Sequence, residues 1–288
     1  MTVEPPKRAG IVGAGLMGSE IAFIYAMAGY NVLLADRDEA TARAAIERLA
    51  GLAAKQAARG LYSEEAGTAA LAHIHATGRL ADFGDLDFVT EAVFEDIEVK
   101  AGILRALDGI CPDGCLIATN TSTIPVSTLA TSLSEGRRRD FVGMHYFSPV
   151  SRMQLVEVIP GFDTVAGAVE TAIAHARAAG KSPIRVKDVA GFAVNRMLHM
   201  FIIEAVKLVE EGVATPADLD LACRLGLGHA MGPFELMDAV TSSLCVRAQE
   251  IMHDAYGERF RPPALLKQRV KAEFTGGRGK RGWRTQEN

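Results

Sequence analysis

The sequence predicts an α/β protein, a doubly wound, mostly parallel sheet followed by an all-helical carboxy-terminal domain. Three observations predict it. Short apolar runs alternate with helix-length segments up to about residue 186, the pattern of strands joined by crossover helices. A glycine-punctuated turn, Gly13-Ala14-Gly15-Leu16-Met17-Gly18, joins the first run to the first helical segment. Beyond Asp188 no strand pattern returns. Two domains are therefore expected, 1–187 and 188–288, meeting near residues 187–191.

The elements follow in order. Residues 9–12 are a short apolar strand, and the helix opened by the turn runs to about Ala28, where Gly29 suits a stop. Residues 32–36 form a second buried strand ending in an aspartate. Asp38 can cap a long alanine-rich helix that ends near Gly60, and Ser63-Glu64-Glu65 starts a shorter one. Strands are expected at 88–93, 116–119, 141–145, 155–159 and 184–186, with helices at 95–107 and 162–179. Residues 192–211 read as a helix apolar on nearly every side, which implies burial on most faces. Some of that burial is expected against a second copy of the chain. Thr215-Pro216 signals the next helix, residues 226–234 a glycine-punctuated loop, and two or three further helices follow.

Composition narrows the function classes. The 288 residues are 49% hydrophobic and 23% charged, with a net charge of −4, ordinary values for a soluble enzyme. Neither nucleic acid nor a membrane is expected as a partner: the charge is acidic overall, and no apolar run reaches membrane-spanning length. Arg137-Arg138-Arg139 reads as a solvated loop. Cys111, Cys115, Cys223 and Cys245 fit no metal-ligand spacing, so no metal site and reduced thiols are expected. The leading MTVEPPKRAG has no signal-peptide core. A cytoplasmic location follows.

The turn at 13–18 has the spacing of a dinucleotide-binding loop in a Rossmann domain. A lone GxGxxG is weak, but this one follows a strand, opens a helix and precedes a strand ending in Asp36. Gly13 permits the tight turn, Gly15 lets the backbone approach a pyrophosphate, and Gly18 lets helix and sheet pack closely. The helix amino terminus favours phosphate. Asp36 can accept from ribose hydroxyls and would repel a 2′-phosphate, so NAD is expected as cofactor.

His145 follows a buried-looking strand, and twelve residues on Glu157 sits in the next apolar strand. Upstream lies Asn120-Thr121-Ser122; downstream lies Gly191-Phe192-Ala193-Val194-Asn195. Together they read as a base, its orienting carboxylate and polar substrate holders, the set that oxidises an activated hydroxy acid. An imidazole with a near-neutral pKa suits that proton transfer in both directions. Lys55 and Arg59, late in the long helix after Asp36, are candidates to meet nucleotide phosphates.

Taken with EAVFEDIEVK at 91–100, NTST at 120–123, GMHYFSPV at 143–150, LVEVIP at 155–160, GFAVNRML at 191–198 and GLGHAMGPFELMD at 226–238, these features run in one order along nearly the whole chain. The chain closely resembles the 3-hydroxyacyl-CoA dehydrogenases of fatty acid β-oxidation, including the bacterial 3-hydroxybutyryl-CoA enzymes. The resemblance implies a Rossmann domain followed by a helical dimerisation domain, hence a homodimer. It implies His145 as acid/base, Glu157 as its partner, Ser122 on the reacting oxygen and beside the nicotinamide, and Asn195 on the substrate. It also implies Glu95 and Lys100 as NAD contacts. The activity expected is monofunctional NAD-dependent oxidation of an (S)-3-hydroxyacyl-CoA to the 3-oxoacyl-CoA. Three departures stand out: Ser148 in place of the usual Asn, His229-Ala230 in place of Tyr-Pro, and RGKRGW at 278–283 in place of KTGxGFY. Two alternatives keep the scaffold: a dehydrogenase of a free polar 3-hydroxy acid, as in gulonate and carnitine dehydrogenases, and a non-catalytic dinucleotide-binding or structural protein.

Overall fold

A computed structural model describes residues 8–284; most of the segment read above for a signal peptide lies outside the described residues. Packing divides the chain between Val189 and Ala190 into two compact units.

In the first unit the strands are β1 (Arg8–Val12), β2 (Asn31–Ala35), β3 (Ile74–Thr77), β4 (Phe88–Glu91), β5 (Leu116–Thr119), β6 (Phe141–Tyr146), β7 (Leu155–Pro160) and β8 (Ser182–Arg185). The helices are α1 (Leu16–Met27), α2 (Glu39–Ala57), α3 (Glu64–Ala72), α4 (Ile97–Ile110), α5 (Val126–Ala130), α6 (Glu135–Arg138) and α7 (Ala166–Ala178). The sheet runs β3-β2-β1-β4-β5-β6-β7-β8. Every neighbouring pair is parallel except β6 and β7. The order reverses between β1 and β4, so the carboxyl ends of those strands flank the crevice where open α/β sheets take ligands. Central strands such as β4, β5 and β6 are buried at every position, as a sheet covered on both faces requires.

Local chemistry sets the boundaries. Asp38 accepts from the Thr41 N–H at 2.7 Å and begins α2; Ser63 accepts from Ala66 at 3.2 Å and begins α3. The helix expected from residue 95 begins at Ile97, because Asp96 caps it by accepting from the Glu98 and Val99 N–H groups. Glu95 is thereby left outside the helix. The helix expected from 162 begins at Ala166, and β3 was not anticipated at all. The arginine cluster also differs from expectation. Arg138 ends α6, and Arg137 is buried, its guanidinium donating to the carbonyls of Cys111, Pro112 and Cys115.

The second unit contains α8 (Val194–Glu210), α9 (Pro216–Gly226), α10 (Pro233–Val240), α11 (Ser242–Tyr256) and α12 (Ala264–Lys271). Gly191 and Phe192 both take positive φ, so the helix expected from 192 starts two residues later. The core gathers Ile202, Val206, Phe234, Met237, Cys245 and Leu266. Asp220, on α9, caps α10 by accepting from the Phe234 and Glu235 N–H groups at 2.9 and 3.1 Å. The altered carboxy-terminal motif is docked on this unit. Trp283 is buried, its ring nitrogen donates to Ser242 Oγ at 3.0 Å, and its ring lies 4.9 Å from that of Phe234. Among the described residues no helix is long and apolar enough to cross a membrane.

Candidate active site

The antiparallel pairing of β6 and β7 puts His145 directly opposite Glu157. That register explains the twelve-residue spacing: the two residues are cross-strand partners on one face of the sheet. His145 Nδ1 lies 2.7 Å from Glu157 Oε2, with the histidine 5% exposed and the glutamate fully buried. A buried carboxylate needs donors, and Nδ1–H supplies one. The tautomer this implies makes Nε2 the unprotonated, basic nitrogen of the ring.

The hairpin is held from several sides. The N–H of Tyr146 donates to Asn120 Oδ1 at 2.9 Å, tying the strand end beyond His145 to the end of β5. The Tyr146 side chain points to the other face, its hydroxyl 2.6 Å from that of Tyr25 on α1. In the connecting turn the Ser151 N–H donates to Glu20 of α1 at 2.8 Å, Gln56 of α2 donates to Ser151 Oγ at 2.7 Å, and the Lys181 ammonium donates to the Val150 and Met153 carbonyls. Sequence reading missed this support, since it joins residues up to 131 positions apart. Ser148 is exposed in the turn.

Glu95 gathers the loop after β5. Its Oε1 accepts from the N–H and hydroxyl of Ser122 at 2.7 and 3.2 Å, the N–H and hydroxyl of Thr123 at 2.8 and 3.0 Å, and the Thr121 hydroxyl at 2.8 Å. Burial works to raise the Glu95 pKa, but the Lys100 charge and these hydrogen bonds outweigh it and hold the carboxyl below its ordinary value. Lys100 is only 1% exposed. Its ammonium meets Glu91 at 2.9 Å, the Val93 carbonyl at 3.3 Å and Glu95 at 3.5 Å, which occupies its three donors. Glu91 also accepts from the Thr119 hydroxyl at 2.7 Å. Lys100 thus supports two carboxylates, Glu91 at the end of β4 and Glu95 in the loop that follows it, an arrangement its spacing from Glu95 alone did not reveal.

At the glycine loop each glycine meets a different limit. Gly13 has φ +103°, and a Cβ there would lie 2.7 Å from the Ala92 carbonyl oxygen; a Cβ on Gly18 would lie 1.8 Å from the Gly13 oxygen. A Cβ on Gly15 would meet nothing within 4 Å, so the chain's own packing does not demand glycine there. Ala14 donates its N–H to Asp36 Oδ2 at 2.7 Å, while Leu16, Met17 and Gly18 form the first turn of α1. Arg37 is exposed and pairs with Asp38 at 3.3 Å. These residues fit a dinucleotide: a bare glycine backbone at a helix amino terminus, with a carboxylate at the end of the neighbouring strand.

Lys55 and Arg59 are exposed near the end of α2. Asn195 stands in the first turn of α8, in the second unit. Among the described residues no group of three or more His, Cys, Asp or Glu could hold a metal ion, and all four cysteines are free and buried.

Residues 8–189 match the family model of the 3-hydroxyacyl-CoA dehydrogenase NAD binding domain, and residues 191–286 that of the 3-hydroxyacyl-CoA dehydrogenase C-terminal domain. The chain is 36% identical over 278 residues to a probable 3-hydroxybutyryl-CoA dehydrogenase of Deinococcus radiodurans, covering 95% of this chain and 98% of that one. It is 35% identical to a probable 3-hydroxybutyryl-CoA dehydrogenase of Bacillus subtilis, covering 96% of each. The crystal structure of (S)-3-hydroxybutyryl-CoA dehydrogenase from Ralstonia eutropha superposes with a TM-score of 0.92 at 33% identity, covering 98% of this chain and 100% of the other.

Proposed function

The chain belongs to the 3-hydroxyacyl-CoA dehydrogenase family, and from that membership we propose that it reversibly oxidises (S)-3-hydroxybutyryl-CoA or a close homologue to the 3-oxoacyl-CoA, with NAD as cofactor. The buried His145–Glu157 pair, 2.7 Å apart and fixed by strand register, is the observation that chiefly supports this reading.

His145 Nε2 takes the proton of the C3 hydroxyl as the ketone forms, and returns it in the reverse direction. The imidazolium so made sits against the buried Glu157 carboxylate, where opposite charges attract more strongly than in water. Glu157 also keeps the ring in the tautomer whose Nε2 is the basic nitrogen. When bound, the nicotinamide supplies the acceptor for the hydride that leaves C3. Asp36 accepts from the adenosine ribose, and the amino-terminal turn of α1 at Gly15, Leu16 and Met17 takes the pyrophosphate. Ser122 donates to the reacting oxygen, Asn195 holds the substrate, and Lys55 and Arg59 meet the phosphates of CoA.

The test follows NADH absorbance with acetoacetyl-CoA, with free acetoacetate in parallel. Oxidation of NADH by the CoA ester alone is expected. His145→Ala should lower kcat by roughly 10²–10⁴, and undiminished turnover in that variant would remove the histidine from the chemistry.

A further inference from the structure

The turn that leads into α8 and carries Asn195 is bent in an unusual way. Gly191 takes φ +72° and Phe192 φ +46°. A phenylalanine in that region is strained, and such a backbone persists only where its surroundings fix it. The helix opens on Ala193, which has no polar side chain with which to cap it. The Arg196 N–H closes the turn by donating to the Gly191 carbonyl at 3.0 Å, and the Met197 N–H donates to that of Ala193 at 3.2 Å. Asn195 therefore stands inside a closed loop of backbone that runs from residue 191 to residue 196.

Tyr256, the last residue of α11, grips that loop at both ends. Its hydroxyl donates to the Ala190 carbonyl at 2.9 Å, just before the turn. The Arg196 guanidinium, just after Asn195, lies 4.0 Å from the centre of its ring, where a cation is drawn to the aromatic face. The tyrosine is itself backed by Phe260, which is buried, with the two ring centres 5.4 Å apart. Met252, one turn earlier on α11, closes on the same loop: a Cβ on Gly191 would lie 2.6 Å from its Sδ. Ile203, Ala248, Met252 and Phe260 form an apolar cluster against which Ala190 and Tyr256 pack.

Given the substrate-holding role of Asn195 stated above, we propose that Tyr256 is a positioning residue for substrate binding, holding the backbone on either side of that asparagine. A binding side chain must be kept within about 0.5 Å of its productive place, which a strained turn at an uncapped helix start does not secure unaided. Tyr256 supplies two unlike restraints, a hydrogen bond before the turn and a cation–ring contact after it. It acts through the turn, and its effect on substrate passes through Asn195.

The test measures kcat and KM of the full-length enzyme with acetoacetyl-CoA and NADH. Asn195→Ala sets the reference and should lower kcat/KM for acetoacetyl-CoA roughly tenfold or more, with KM for NADH unmoved. Tyr256→Phe keeps the ring beside Arg196 and removes the hydroxyl. It should lower the same constant roughly three- to tenfold, again with KM for NADH unmoved. In the double variant the loss should not exceed that of Asn195→Ala alone, because a displaced asparagine is no worse than an absent one. A purely structural role would lower the thermal midpoint and leave the kinetic constants of the folded protein as they are. Unchanged kcat/KM in Tyr256→Phe, or losses that multiply in the double variant, would overturn the proposal while the role of Asn195 stands. Wild-type constants in Asn195→Ala would remove that role first, and the proposal with it. Should Tyr256→Phe fail to fold, Arg196→Met loosens the same grip at its other end and is read in the same way.

Discussion

Gly15 and Gly18 stand three residues apart in one loop and answer to different constraints. Gly15 has open space where a side chain would go, so Gly15→Ala should leave thermal stability within about 0.5 kcal/mol. It should weaken NADH binding roughly tenfold or more, about 1.4 kcal/mol, because the added methyl occupies the approach of the pyrophosphate. Gly18→Ala would drive a methyl into the Gly13 carbonyl oxygen. It should cost about 3 kcal/mol of stability, more than the roughly 1 kcal/mol alanine gains in a helix. Thermal melts alongside NADH fluorescence titration separate the two effects, and a Gly15→Ala protein binding NADH normally would take that glycine out of the cofactor site. These roles were legible because spacing and context carry them. The role of Lys100 was not, because a lysine five residues after a glutamate looks the same whether it faces solvent or fills three hydrogen bonds in the interior.

At the scale of elements, legibility followed the strength of the periodic signal. The strands buried on both faces announced themselves as unbroken apolar runs, and β6 and β7 carried the His145–Glu157 pairing in their spacing. β3 passed unseen because Ile74-His75-Ala76-Thr77 is only four residues long at a sheet edge, with its pairing supplied by β2. Helix α4 was placed two residues early, since Glu95 is a good helix former and only the Asp96 cap excludes it. The carboxy-terminal motif looked eroded in sequence yet is anchored: Asp238 accepts from the Trp283 N–H at 2.8 Å, and the Arg269 guanidinium lies 4.4 Å from the indole ring. Trp283→Ala should therefore destabilise the second unit by about 3–5 kcal/mol, read as a fall in the midpoint of urea unfolding. An unchanged midpoint would show that the tail contributes nothing to that core.

At the scale of the whole molecule, each unit carries a buried histidine whose surroundings oppose its charging. Burial lowers His175 in the first unit and His199 in the second from 6.5 to about 4. Between those values the unfolded chain binds protons that the folded chain refuses, so stability is fully present above pH 6.5 and falls as pH drops toward 4. The loss is at most about 3 kcal/mol per histidine. His199→Leu should flatten the acid side of the stability curve, since Nδ1 of His199 has no hydrogen-bond partner to strand; equal acid sensitivity in the variant would assign the loss elsewhere. A second expectation concerns assembly. Leu221, Leu225 and Leu227 are 46, 79 and 62% exposed along α9 and just after it, a patch of the kind that pairs with a second copy. Light scattering should return twice the chain mass, and Leu225→Lys should return the chain mass itself.

Asp188, two residues before the second unit begins, accepts from the Val126 and Ser127 N–H groups at 2.9 and 2.7 Å and so completes the start of α5. The consequence is one for anyone cutting the chain. A truncation after Asp188 leaves those two donors satisfied, whereas one after Lys187 strips the cap from α5 just beyond the Ser122 loop. A single residue at the cut decides whether the isolated first unit keeps that loop's downstream anchor.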